Sequence, residues 1–460
     1  VTSPVATPAL EESFRGALVR PGEPGYDAAR AVWNGMIDKR PALIARCTGV
    51  ADVVAAIRFA RENELAIAVR GGGHNVAGTA VCDGGIVIDL SPMKGVHVDP
   101  VRRIAHVQGG VTWGELDRAT QAYGLATPGG LISSTGVAGL TLGGGFGWLS
   151  RAYGLASDNL LSVDIVDAEG RLLTASAGEH RDLFWAVRGG GGNFGVVTSF
   201  TFTLHPLGPV VFGGVAFHRA DAAGEMLRAY RDVTASLPES VTSALIFLTG
   251  PPAPFLPPEL HGAPLIAIAG LYAGDASKGE RATRPLRELG TAAVDLFHEL
   301  PYTALQTMFD ATAPAGLQNY WKSHAFAALD DGAVTALAAS GVAMPSPLSH
   351  VDLHHLGGAV SRPADDATAY PLRGAEYVVN VVGTWPDPAD SARQVAWVRD
   401  VWDALRPSAA DTSYVNFLAD TGPEQAEPAY GATTYARLGA VKRTYDPQNI
   451  FRGNVNVAPR

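Results

Sequence analysis

The chain has 460 residues, 47% of them hydrophobic and 17% charged, with a formal net charge of −10. That length calls for two or three domains rather than one small core, and the negative balance argues against a nucleic-acid or anionic-membrane surface. No apolar run is long enough to span a bilayer, and two cysteines, Cys47 and Cys82, are too few for a disulfide scaffold, which fits a reducing compartment.

The start, VTSPVATPALEESF, lacks an apolar stretch behind a basic head. No secretory signal is read there and a cytoplasmic location is expected, although a leader already cleaved would leave the same start. In chain order, the first half alternates helices and strands. Ala51–Asn63 (ADVVAAIRFAREN) has helical spacing, with Val53, Val54, Ile57 and Phe59 apolar and Arg58, Arg61 and Glu62 polar. Leu65–Arg70 predicts a short buried strand running into the loop RGGGHNVAG, and Gly85–Leu90 predicts another. Gly114–Tyr123 reads as a helix ended by Gly124 in the manner of a C-cap. His180–Arg188 reads as a helix, while Ser162–Asp167 and Val196–Leu204 alternate as strands do. Past His205-Pro206 the style changes to helices with charged faces, such as Gly224–Leu237, and several strands, as far as about Pro407. Pro251–Pro258 is a proline-rich loop, and Tyr430–Pro447 is a helix closed by Asp446-Pro447. No internal repeat and no CxxC, HExxH or Walker A pattern occurs.

The 53 glycines exceed ordinary usage and gather in a few loops. Three are dense: Gly71–Gly78, Gly129–Gly147 and Gly189–Gly195. Consecutive glycines cost backbone entropy and persist where the chain takes a positive φ or approaches something closely. Backbone N–H groups placed this way hold an anion such as pyrophosphate without charged side chains. Tight turns in a glycine-tolerant fold are the competing reading, and three such loops favour a large phosphate-bearing cofactor. Gly190–Gly195 matches GxGxxG, but a helix precedes it and a strand follows. The Rossmann fingerprint requires the reverse order.

RGGGHNVAG, GGLISSTGVAGLTLGGGFGWLSRAYGLASDN, DLFWAVRGGGGNFGVVTSF and KRTYDPQNIF together resemble the berberine-bridge-type flavin oxidases of the vanillyl-alcohol oxidase (PCMH-type FAD-binding) superfamily, over Arg40 to Asn456. The resemblance is strongest to bacterial members. It implies an α+β fold: a PCMH-type FAD-binding domain of two α/β subdomains over residues 1–207 (core about 40–207), a substrate-binding domain with an antiparallel sheet backed by helices over 208–409, and a C-terminal segment, 410–460, returning to the FAD domain. It implies FAD linked through His74 only, because Ile132 stands where many relatives carry a second, cysteine link. It assigns to the cofactor Arg70, Gly71, Gly72, Gly73, Asn75 and Gly78; Gly130, Ser133, Ser134, Thr135, Gly136, Gly139, Gly143 and Gly147; Asp158 and Asn159; Gly195 and Val197; and Asn454 with Asn456. Val455 stands where relatives often have a glutamine.

On the substrate side, His350, Asp352 and His354 would share one face of a strand in SHVDLHHLGG. The resemblance places this strand over the flavin and matches Asp352 to an acid in bacterial relatives. A carboxylate flanked by histidines in a cavity has a pKa tuned by its neighbours, which makes Asp352, with His354 beside it, the candidate base. A metal site and a solvated or core polar strand compete for the same face. Tyr414 and Asn416 match a segment near the flavin ring, or form a core tyrosine with its hydroxyl satisfied. Tyr320 and Lys322 are weaker candidates. Thr135 stands where relatives gate oxygen. The implied activity is oxidation of a small organic or secondary-metabolite substrate, an alcohol or cyclic amine, with hydride passing to covalent flavin and O2 leaving as H2O2. A flavin-dependent oxygenase and a redox-silent protein with structural FAD are the alternatives. The implied partners are a small-molecule substrate and O2, with no nucleic acid and no membrane; no oligomeric state is read.

Overall fold

A computed structural model describes residues 7–420, 422–453 and 455–460. Leu43–Arg46, Ile67–Arg70 and Ile86–Asp89 are short and mostly apolar, and they pair in parallel, as strands buried on both faces do. Ala17–Val19 adds an antiparallel edge. The helix Val50–Glu62 lays Val53, Ala56, Ile57, Phe59 and Ala60 against this sheet's core. The expected strand at Leu65 begins two residues later, because the Leu65 amide closes the preceding helix on Ala60 O at 2.8 Å.

The second sheet is antiparallel, in the order Val96–Asp99, Ile104–Gln108, Val196–Thr203, Leu160–Val166, Leu172–Ser176. Phe200 and Phe202, two apart on the central strand, point into its core. The helix Trp113–Gln121 starts on a capping box, with the Thr112 amide donating to Glu115 Oε2 at 2.8 Å. The C-terminal helix Ala432–Tyr445 packs Tyr435, Leu438 and Val441 into the same core as Phe184 and Trp185 of the helix Arg181–Ala186. Its buried Lys442 donates to Asn193 O (2.6 Å) and Phe451 O (2.8 Å) and pairs with Asp446 at 2.7 Å.

The third sheet has eight strands, all pairing antiparallel. Its main path runs Val294–Asp295, Val210–Arg219, Pro264–Tyr272, Val241–Thr249, His350–His355, Tyr377–Trp385, Gln318–Phe326. The period of two splits these strands cleanly. Val351, Leu353, Val379 and Val381 pack under the helices Ala223–Thr234, Asp331–Ser340 and Ser391–Leu405. Their alternates face the other way, toward the glycine loops.

Two buried arginines hold the glycine-loop half to this sheet. Arg151 donates from Nε to Val241 O (2.9 Å) and from Nη2 to Leu237 O (3.2 Å), and its Nη1 lies 2.8 Å from His355 Nε2. Arg373 clasps both oxygens of Asp158, at 2.7 and 2.6 Å. Among the described residues no helix is long and apolar enough to cross a membrane.

Candidate active site

A cavity of about 810 Å³ opens between the glycine loops and the bare face of the eight-stranded sheet. All three loops reach it, through Gly71–Asn75, through Gly130, Ile132, Thr135, Gly136 and Gly139, and through Gly191, Gly192 and Gly195. The first two loops touch backbone to backbone: a Cβ on Gly72 would stand 2.3 Å from the Gly136 nitrogen. Gly73, at φ +72°, then turns the chain so that His74 is presented. The middle loop is not irregular throughout, since Val137–Leu142 forms a short helix. Its Gly139 lines the cavity, and a Cβ there would meet no protein atom within 4 Å. A side chain at that position would stand in the cavity itself.

His74 is held on two sides. Its ring stacks on Trp33 with centroids 5.3 Å apart and planes 17° from parallel. Its Nε2 lies 2.9 Å from Ser134 Oγ. Burial pushes its pKa down to about 4, against a small opposing pull from Asp310. The imidazole is therefore neutral at physiological pH, the form with a lone pair to give.

The sheet face under the cavity is built in cross-strand rows, of which all but Ser323, Ala325 and Val378 line the cavity itself. Trp321, Val382, His350 and Leu248 form one; Ser323, Asn380, Asp352 and Ile246 form the next; Ala325, Val378, His354 and Ala244 form the third. His350 Nε2 lies 3.4 Å from Asp352 Oδ2, and His354 Nε2 lies 3.9 Å from the same oxygen. Burial opposes the Asp352 charge, but the His350 and His354 rings outweigh it and hold the carboxyl below its ordinary range. Burial also opposes a charge on His350, yet the carboxylate raises its pKa above the usual 6.5. His354 is lowered, mainly by burial. The carboxylate is thus fixed as an anion, and the two histidines have been driven apart.

Tyr414 and Asn416 line the cavity but are occupied by the protein. Asn416 Nδ2 donates to the Tyr414 hydroxyl (3.0 Å) and to Leu140 O (3.1 Å), so the pair braces the middle glycine loop. Burial pushes the Tyr414 phenol up to about 12, which keeps it protonated and rules it out as a base near neutral pH.

Of the residues expected at the cofactor, Gly71, Gly72, Gly73, His74, Asn75, Gly130, Thr135, Gly136, Gly139, Gly195 and Val197 line the cavity. The others stand behind it. Arg70 donates to Arg30 O and Ala31 O, both at 3.1 Å. Gly78 packs on Ile37, Gly143 on Asn416, and Gly147 on the Gly129 carbonyl. Ser133 holds Asp310 through its amide at 2.8 Å, and Ser134 contacts His74. Asp158 is taken by Arg373, and Asn159 donates to Tyr153 O and Leu155 O, both at 2.9 Å. Asn456 is not part of the lining either, and Asn454 lies outside the described residues. Tyr320 and Lys322 are both bonded to Asp420, at 2.8 and 3.1 Å, away from the cavity.

Two family patterns match this chain: one described as "FAD binding domain" over residues 41–176, and one described as "Berberine and berberine like" over residues 413–458. An FAD-linked oxidoreductase of Dictyostelium discoideum is 33% identical, across 97% of this chain and 96% of its own length. The (R)-6-hydroxynicotine oxidase of Paenarthrobacter nicotinovorans is 32% identical, across 100% and 99%.

The chain belongs to the berberine-bridge-like FAD-linked oxidoreductases.

The crystal structure of 6-hydroxy-D-nicotine oxidase from Arthrobacter nicotinovorans superposes with a TM-score of 0.88 at 30% identity, covering 99% of this chain and 100% of that one. A xylooligosaccharide oxidase from Myceliophthora thermophila, at 25% identity and TM-score 0.85, covers 98% of each chain. The two glycine-loop sheets are the PCMH-type subdomains and the eight-stranded sheet is the substrate domain of this family. The protein is an FAD-dependent oxidoreductase, and its cavity fits the cofactor: three loops supply backbone, and Gly139 leaves open the space a side chain would fill.

Three participants gave no signal in the sequence. Trp33 lies in an irregular stretch, and only the fold brings it over His74, with its Nε1 anchored on Ala313 O at 2.9 Å. Asn380 and Trp321 enter the floor through strand register across long separations.

Proposed function

We propose that this enzyme oxidises a small alcohol or amine, using FAD bonded to His74 alone and O2 as the final acceptor. The observation that carries the reading is the His350–Asp352–His354 face, which shares one cavity with His74 and the glycine loops. When bound, FAD supplies the hydride acceptor and the site where O2 is reduced to H2O2.

The chain's own residues supply the rest. Neutral His74 is the attachment point, and Ile132, which also lines the cavity, offers no second nucleophile. Both imidazoles address Asp352 Oδ2, which leaves Oδ1 without an ion-pair partner among the described residues. Asp352 Oδ1 accepts the O–H or N–H proton of the substrate while the carbon beside it gives up hydride. His350, whose pKa the same carboxylate raises, takes the proton onward once its own ring is neutral. Thr135 keeps a small side chain on the wall where oxygen must approach. Oxidation of (R)-6-hydroxynicotine, named for a relative at 32% identity, supports an amine or alcohol substrate here.

The test is an anaerobic screen of the holoenzyme against alcohols, amines and polyphenols, followed by admission of O2. The reading predicts bleaching of the flavin by at least one alcohol or amine and return of the colour with H2O2. A flavin that none of these classes reduces, or oxygen incorporated into the product, would contradict it.

A further inference from the structure

The middle row of the cavity floor carries a polar group that the protein leaves unused. Asn380 pairs with Asp352 across neighbouring strands, is 3% exposed and lines the cavity. Its Oδ1 is buried with no hydrogen-bond partner among the described residues. Ser323, next in the row, is 1% exposed, and its Oγ also lacks a partner. Each such group is destabilising, because it has lost water without gaining a partner. The sheet does not require them, since Val378 and Val382 occupy the same face two residues either side of Asn380. Beyond this row the wall is mainly apolar, with Val215, Phe217, Leu248, Phe255 and Phe309, interrupted by Thr249, His298 and Thr312. The apolar side chains offer contact and no hydrogen bond.

We infer that Asn380 is the recognition group for the polar end of the substrate, held beside Asp352, and that the substrate is an otherwise apolar, ring-sized alcohol or amine. The inference rests on the proposed reading of the cavity as the oxidation site. A carboxamide offers a donor and an acceptor. With the carboxylate of Asp352 next to it, one hydroxyl or amine can be both bonded and oriented. A sugar would bring hydroxyls along its whole length, and those set against the apolar side chains would lose their water without replacement. An amphipathic molecule gives one heteroatom to the Asp352–Asn380 row and buries the rest.

Binding tests this without turnover when the alcohol has no hydrogen on its carbinol carbon. The visible absorbance of the bound flavin is titrated in the holoenzyme with 2-phenyl-2-propanol, isopropylbenzene and xylobiose, for wild type, Asn380→Leu and Asn380→Val. Wild type should prefer 2-phenyl-2-propanol over isopropylbenzene by ~10-fold or more, the scale of one well-made hydrogen bond to a charged or buried partner. Both variants should lose most of that preference and unfold at an equal or higher temperature, because an unpartnered buried amide has been removed. An unchanged preference, no preference in wild type, tighter binding of xylobiose than of 2-phenyl-2-propanol, or a lower unfolding temperature in both variants would overturn the inference. Failure of the oxidation reading is distinct: binding would keep its Asn380 dependence, and no alcohol or amine would reduce the flavin.

Discussion

The chemistry of single residues here is set by what surrounds them. Asp352 and His350 titrate as one unit: burial disfavours both charges, and their mutual attraction overrides it. Loss of the His350 proton leaves the carboxylate better able to accept one. Flavin reduction should therefore rise with pH through an apparent pKa above 6.5, the ordinary histidine value that Asp352 raises. Asp352→Asn removes that raising charge, so His350 titrates lower and the limb moves toward acid. The limiting rate should also fall by ~10²-fold or more, the scale of a positioned base. Stopped-flow reduction under anaerobic conditions reads both effects, and an unmoved pH profile would remove Asp352 from the proton path. Thr135 carries a separate expectation. Thr135→Leu fills the wall beside the glycine loop, so reoxidation by O2 should slow more than reduction does. Equal slowing of both half-reactions would mean that Thr135 gates nothing.

At the scale of elements, the C-terminal helix Ala432–Tyr445 shows how a late segment is tied to an early one. Lys442 and Asp446 are wholly buried, 2.7 Å apart, and Asp446 also accepts from the Ile450 and Phe451 amides, both at 2.9 Å. Removing one partner strands the other charge, so Asp446→Ala should destabilise by about 3–5 kcal/mol. The double variant Lys442→Met with Asp446→Ala should be less destabilised than the sum of the two single changes, in denaturant unfolding of the holoprotein. Additive losses would mean that the pair does not interact. Elements of this kind were legible where one residue pattern decides them. Val50–Glu62 follows from its 3.6 spacing, and the shared face of His350, Asp352 and His354 follows from the period of two. The capping box at Thr112, the helix inside the middle glycine loop and the register that seats Asn380 beside Asp352 were not read. The last depends on pairing between strands far apart in sequence, which no local pattern encodes. Asp158 and Asn159 show the converse. Resemblance gave them to the cofactor, and among the described residues they bond Arg373, Tyr153 O and Leu155 O.

For the molecule as a whole, the cavity exists only because two halves meet. Arg151 and Arg373 draw the sheet of the substrate domain over the glycine loops, and the N-terminal segment brings Trp33 onto His74. On the proposed reading, three loops hold FAD and His74 alone bonds it. His74→Ala should keep FAD without a bond and turn over more slowly. The two cysteines are poor rivals for the proposed link: burial raises the Cys47 thiol far above its usual range and pushes Cys82 up to about 11, so neither is a thiolate near neutral pH. The most direct measurement is acid precipitation of the wild-type holoenzyme followed by peptide mass mapping. The precipitate should stay yellow, with FAD on the peptide holding His74 and on no other. Flavin released completely by denaturation, or an adduct on Cys47 or Cys82, would contradict it.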